Sequence, residues 1–399
     1  MSLSAGNKRW LCLIDAVVLF LFLGLVYAWS NFAGPLEAEF GWVRAETSLV
    51  FSLCMSFFCL GGLASGFLLR RHSPTPVLLL CAVCVPAGFV LASRVSSLAG
   101  LYAAYGVLVG FGIGLGYNCV ISTLLKWFPE KPGFISGVVL LGFGWGGLVL
   151  GTLSSSMTSA FGWRFTFLCL GAAFAFLIVF STLFIRNPPA ASGPARSPAS
   201  ASGDGGSEMT AAQMLRRRSF WIYFCWTTLL AAAGLALLGH SSLLAGDMGG
   251  SPALASLLTG AVSVSNGSSR LIMGFLYDKI GRRKSMYAVS LGCSAAFLLI
   301  LLALETRSLA LLTAGYVCGG LSFGGIVPIN SAVCHSFYGR ENYAMNFSVI
   351  TLHMLVSSFL GPMLAGGMQT LTGSFSGVAA LMSLFGAVSF VLSSLLKKA

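Results

Sequence analysis

Twelve apolar runs divide almost the whole chain, and each approaches or exceeds the ~20 residues that a helix needs to cross ~30 Å of hydrocarbon. They lie near 10–32, 46–69, 76–93, 98–125, 134–158, 163–185, 219–241, 252–277, 285–304, 308–334, 342–370 and 373–396. Only 9% of the residues are charged, whereas a soluble surface uses about 25%. The pattern predicts an all-α membrane protein with twelve transmembrane helices. The first run is followed by GPLEAEFGWVRAE rather than a small-residue cleavage site, so it is expected to be a span and not a removed leader.

The runs fall six and six. Between them, 186–218 is dominated by Pro, Ala, Ser and Gly, a composition that cannot bury a core. It is expected to be a flexible cytoplasmic linker between an N-terminal six-helix bundle, 1–185, and a C-terminal one, 219–399. The net charge of +12 does not collect on one soluble face as nucleic-acid binding would require; it is dispersed among short loops. With both termini in the cytoplasm, eighteen of the 23 Lys and Arg residues fall on inner loops and tails, against Arg44, Arg94, Arg164 and Arg307 outside. The positive-inside rule thus predicts a multi-pass inner-membrane protein with cytoplasmic termini. Arg270 alone belongs to neither side.

The halves repeat. Gly66-Phe-Leu-Leu-Arg70 matches Gly274-Phe-Leu-Tyr-Asp278, KWFPEKPG aligns with HSFYGREN through Phe128 and Phe337, and Gly24-Leu25 aligns with Gly234-Leu235. The offsets agree within two residues, so a duplicated six-helix unit with pseudo-symmetric bundles is expected, with a substrate site near the midplane between the halves. The pairs Gly110/Gly114, Gly112/Gly116, Gly142/Gly146 and Gly147/Gly151 are small-xxx-small motifs that let helices approach closely. GFGIGLG lacks a preceding strand and the spacing of a dinucleotide loop. The eleven cysteines, including the Cys81–Cys84 pair, lie mostly inside apolar runs and are expected to be small core residues. Asn266 and Asn346 begin formal glycosylation sequons but fall within or at the mouth of predicted spans. No phosphate loop, HExxH helix or metal-spaced Cys/His set occurs, so no catalytic residue, metal or cofactor is expected.

A charge at mid-bilayer costs a few kcal/mol even on insertion scales and normally faces a wet cavity and a partner. Helical spacing sets Val262, Asn266, Arg270 and Gly274 on one stripe. A guanidinium fits a carboxylate bidentately, and no acidic residue lies deep in any predicted helix to neutralise it; Asp15 is nearest, in the first turn of helix 1 at the cytoplasmic side. Two expectations result: an anion site at Arg270 and Asn266, or an internal pairing of Arg270 with Asp15 or carbonyls. Tyr27, Tyr117 and Asn118 are further candidates for lining such a site. His353, in helix 11, is the candidate proton carrier, since its ordinary pKa suits coupling. Asp278, Arg282 and Arg283 cluster after helix 8 and are candidate gating residues.

GFLYDKIGRRK resembles the G-x-L-x-D-x-x-G-R-R loop of the major facilitator superfamily, and GFLLRRHSP is a degenerate counterpart with Arg70 in place of the Asp. YAWSNFAGPL, the long GFGIGLGYNCVISTLLKWFPEKPGFISGVVLLGFGWGG block, FGWRFTF and HSSLLAGDMGGSPALA resemble the oxalate/formate antiporter and monocarboxylate transporter branch. The resemblance implies the two-bundle facilitator fold and a carboxylate-binding role for Arg270. It also implies a second cation for oxalate on helix 11, where this chain has Met354, one residue after His353. The function expected is therefore secondary transport of a small organic monocarboxylate (lactate-, pyruvate- or formate-like) by alternating access, coupled to a proton or a counter-anion. The alternatives are an oxalate/formate-type dicarboxylate exchanger and an exporter of another small organic compound.

Overall fold

The computed structural model describes residues 5–188, 208–249, 252–372 and 374–396. Eleven helices among them are long and apolar enough to cross a membrane. We number the spans α1 (Lys8–Ala28), α2 (Leu49–Leu68), α3 (Pro74–Ala92), α4 (Leu98–Trp127), α5 (Pro132–Phe161), α6 (Trp163–Ser181), α7 (Arg218–Ser241), α10 (Leu309–Tyr338), α11 (Tyr343–Gln369) and α12 (Ser376–Leu395). The remaining helix, Gly260–Thr306, folds back on itself at Gly281. Its arms are α8, 260–280, and α9, 282–306, which brings the spans to the twelve expected. The turn is tight because Gly281 adopts φ 78°, a region closed to most residues with a Cβ. Where the sequence suggested a loop at 278–284, a single glycine makes the bend.

The small-xxx-small pairs are sites of close helix approach within the N-terminal half, as are Gly24 and Gly61. Gly110 and Gly114 face α2, where an added Cβ would lie 2.4 Å from the Cys54 carbonyl oxygen and 2.0 Å from that of Phe58. Gly112 and Gly116 face α3 at Val85 and Cys81; Gly142 and Gly146 face α1 at Val17 and Leu21. Lipid tails are as apolar as leucine, so such seams gain from dispersion at short range rather than from water release. All eleven cysteines are free and most are buried, as small core residues should be.

Three spans depart from regular winding. α1 tightens into a 3-10 segment over Gly24–Ala28, α4 carries a π-helical stretch over Tyr102–Val109, and α11 is interrupted at Leu352. On the face away from the termini, the Ser30–Phe40 helix follows α1 and ends in Gly41 with φ 69°. It is clasped by Glu39, which accepts hydrogen bonds from Arg164 at 2.5 Å and the Trp163 indole at 2.7 Å. Those two donors, Arg164 first, hold the Glu39 carboxyl below its usual range.

The segment expected as linker divides into two. Residues 189–207 lie outside the described residues. Residues 208–218 are folded: Thr210 caps a short helix, Ala211–Leu215, in a capping box with Gln213, and Met209 and Met214 are buried. This part of the chain docks on the C-terminal half and is no free tether, because its two methionines give it an apolar face that the composition of the segment as a whole conceals.

Candidate functional site

Among the described residues, two main seams join the halves, and both lie on the side of the molecule that carries the chain termini. In the first, α2 and α4 bear on α11. The Asn118 amide donates to the carbonyl oxygens of Gly62 and Ala344, both at 3.0 Å, and to Ser348 Oγ at 2.8 Å, while Ser348 Oγ also donates to Gly62 at 2.7 Å. Cys59 Sγ reaches the Thr351 carbonyl at 3.8 Å. Asn118 therefore bolts the halves together, and its amide donors are spent there. It does not line a site beside Arg270.

In the second seam, α5 bears on α8 through glycine on both sides. A Cβ on Gly274 would meet the Gly133 carbonyl at 2.3 Å, one on Gly137 the Arg270 carbonyl at 2.6 Å, and one on Gly144 the Gly267 Cα at 2.8 Å. At the end of this seam the Asp278 carboxylate accepts from the backbone N–H of Gly133 at 3.2 Å and of Phe134 at 2.7 Å. These are among the orphan donors of α5's first turn, where the helix dipole also favours an anion. Asp278 is thus the cap of a helix in the opposite half. Arg282 and Arg283, expected as gating residues beside Asp278, bond within their own half. Arg282 donates twice to the Leu396 carbonyl at 3.2 Å and stacks 4.5 Å over Phe337. Arg283 donates to the Tyr287 hydroxyl at 2.7 Å, one turn along its own helix. Both partners belong to the C-terminal half, so neither arginine bridges the halves.

Asp278→Asn keeps the shape but loses the charge that assists two hydrogen bonds. We expect it to raise by about tenfold the rate at which Cys59, buried in the α2–α11 seam, reacts with a maleimide. An unchanged rate would count against the capping role.

Arg270 sits at the inner end of the α5–α8 seam and is 3% exposed. Asn266, one turn earlier, accepts from Nε at 3.3 Å and from Nη2 at 3.2 Å; Nη1 donates to the Leu140 carbonyl at 3.2 Å. The guanidinium carbon lies 5.9 Å from the Tyr27 ring and 5.8 Å from the Phe143 ring. Tyr27 and Phe143 meet edge to face at 5.4 Å, and Tyr117 closes the aromatic cluster against Phe143 at 5.2 Å and Phe20 at 5.1 Å. Asn266 and Tyr27 thus stand beside Arg270 as expected, with Tyr117 one ring further out. Phe143 went unsingled in the sequence because phenylalanine is common throughout it.

Every acceptor found for Arg270 is neutral. A guanidinium has five N–H donors, and the three bonds leave two without a protein acceptor among the described residues. Asp15, the candidate internal partner, lies elsewhere: it accepts from Ser181 of α6 at 3.2 Å. The cation is compensated by amide, carbonyl and ring faces, with room in its bonding for an anion.

His353 is the first residue after the break in α11 and is buried. Its Nδ1 lies 2.9 Å from the Ile350 carbonyl, and Nε2 is buried with no hydrogen-bond partner among the described residues. It shares a stripe with Ser357, which donates to Thr228 of α7, and Gly361, which abuts Ala232 of α7. The imidazole therefore belongs to the α7-facing side of α11, whereas Ala344 and Ser348 face the other half.

The model of the Major Facilitator Superfamily matches residues 16–245 and 236–399, and the chain belongs to that family: it is a membrane transporter and not an enzyme. The oxalate:formate antiporter of Oxalobacter formigenes is 28% identical over 90% of this chain and 85% of its own length. Human monocarboxylate transporter 11 is 26% identical over 93% and 79%. Among solved structures, the facilitator transporter FucP in the outward conformation superimposes with a TM-score of 0.73, covering 98% of this chain and 100% of its own, at 13% identity.

Proposed function

We propose that this protein carries a small organic monocarboxylate across the cell's inner membrane, with both termini cytoplasmic. The observation that carries the reading is Arg270: a buried guanidinium between the halves, held by neutral acceptors, with two donors to spare. A carboxylate placed there would take those donors as a fork, beside the Tyr27 and Phe143 rings that flank the guanidinium. The similarity to an oxalate:formate antiporter and to monocarboxylate transporters supports an organic anion. With cytoplasmic termini, both seams close the cytoplasmic side, so the conformation described faces outward. Alternating access then requires the Asn118 and Asp278 contacts to break while the opposite ends of the spans come together.

One fixed cation neutralises one carboxylate; a second carboxylate would be left desolvated at a cost of several kcal/mol. We therefore infer a monoanion as the substrate at neutral pH, coupled either to a counter-anion or to a proton taken up at the unpartnered Nε2 of His353. The test is a binding and proteoliposome-uptake panel of lactate, pyruvate, formate, glyoxylate and oxalate at pH 7.5 and 6. Monocarboxylates are expected to lead at pH 7.5. Met354→Lys, which adds the second cation that the resemblance implies for oxalate, is expected to move the ratio of oxalate to lactate affinity upward by about tenfold or more. If a proton is the coupled ion, uptake rises as pH falls and His353→Gln flattens that rise. Oxalate outcompeting lactate in the unmodified protein at pH 7.5 would refute the charge count.

A further inference from the structure

We propose that Glu208, from the segment joining the two halves, is the positioning carboxylate of α11, standing in for an acid that the pseudo-symmetry of the fold calls for at position 70. The proposal rests on the outward-facing reading above. On the α5 side, Gly274 packs on Gly133 and Gly137, and one turn later Asp278 caps the start of α5. On the symmetry-related side, Gly66 packs in the same way on the first turns of α11, where an added Cβ would lie 2.8 Å from Ser348 Oγ and 3.0 Å from the Ala344 carbonyl. One turn later the chain carries Arg70, which is exposed. An arginine cannot accept from orphan N–H groups, and its charge is the wrong sign for a helix N-terminus.

The carboxylate arrives from another direction. Glu208 accepts from the backbone N–H of Arg340 at 3.0 Å and of Glu341 at 2.9 Å, in the turn that leads into α11. Met209 donates its N–H to the Tyr338 carbonyl at 3.1 Å, and its own carbonyl accepts from the Asn346 amide at 2.9 Å. The turn is shaped around this contact: Gly339 has φ 89°, and a Cβ there would lie 2.3 Å from Glu208 Oε2.

The two carboxylates then differ in what they hold: Asp278 binds first-turn donors of α5, whereas Glu208 binds the turn just before Tyr343. Asp278 reaches across the halves, so its bonds break when the cytoplasmic side opens. Glu208 belongs to the same half as α11, so its bonds persist through the cycle. What Glu208 sets is the position of the short N-terminal part of α11, Tyr343–Thr351, which is set off from the rest at Leu352. That part carries Ala344 and Ser348, the acceptors for Asn118. A displaced Tyr343–Thr351 segment weakens the seam only in the state where the seam is closed, so losing the Glu208 contact with the preceding turn shifts the balance toward the inward-facing state.

The test measures the maleimide reactivity of Cys59 in the full chain, with the other ten cysteines replaced by alanine and no substrate present. Glu208→Gln is expected to raise the rate about two- to fivefold, the range of a helix-terminus charge. Adding Arg70→Asp restores it, because the aspartate supplies the cap from the other half; Arg70→Asp alone lowers the rate below that of the parent. An unchanged rate in E208Q, or a rate still raised in R70D/E208Q, overturns the proposal. Should E208Q fail to accumulate, R70D decides, a rate equal to or above the parent's being the refuting result. If neither E208Q nor D278N changes the rate, the outward-facing reading has failed; if only D278N does, the role of Glu208 has.

Discussion

Arg270→Lys is expected to reduce monocarboxylate affinity by about a hundredfold or more, while the melting temperature in detergent stays within a few degrees of the parent's. The charge survives this change; the geometry does not. Arg270 presents donors in three directions, two engaged by Asn266 and Leu140 and the rest available as a fork. An ammonium offers three donors from a single point on a shorter stem, and satisfying the amide and carbonyl leaves it poorly placed for a bidentate anion. Losing one of two charge-assisted bonds and misaligning the other is worth about 3 kcal/mol, which corresponds to about a hundredfold in affinity. Isothermal titration with the best ligand of the panel would check it. Near-parental affinity would remove Arg270 from the site and return it to an internal role.

The second large effect concerns packing. Gly146→Ala is expected to abolish accumulation of folded protein or to lower its melting temperature sharply, by size-exclusion and thermal unfolding in detergent. The new methyl would sit 2.1 Å from the Leu21 carbonyl and 2.9 Å from the Gly24 backbone. Neither neighbour is a flexible side-chain tip, so two helices must separate, and overpacking of this kind costs about 3 kcal/mol or more. Gly34→Ala is the control: its Cβ would enter open space, and the change is expected to be harmless. If the two variants behaved alike, the α1–α5 seam would be looser than the distances require.

The spans, their number and the glycine seams were readable because each depends on local pattern: run length for the first two, four-residue spacing of small residues for the third. The Arg270–Asn266 contact was readable for the same reason, being one helical turn. Tyr117 and Asn118 show where the pattern stops informing. They are neighbours in sequence, yet helical geometry turns successive residues about 100° apart, sending the tyrosine into the aromatic cluster and the asparagine into the α2–α11 seam. Which of the two faces the site depends on how whole helices are placed. The partner of Arg282 could not be read from the sequence because it is a backbone carbonyl at Leu396, and a carbonyl at a helix end has no residue-type signature. Glu208 stayed hidden within a stretch whose composition argued against any fixed structure.

The tightly wound segment of α1 gives the chain an adjustable screw at its centre. Over Gly24–Ala28, five residues are 3-10 helical. Each advances about 2.0 Å and turns about 120°, against 1.5 Å and about 100° in an α-helix. Relaxing that segment to α-helix would shorten α1 by roughly 2.5 Å and rotate Tyr27 relative to the rest of the span. The ring that faces Arg270 is therefore mounted on a thread: rewinding this segment would swing one aromatic side chain relative to the guanidinium, and because Gly24 and Leu21 pack on Phe143 and Gly146 the movement would be passed to α5.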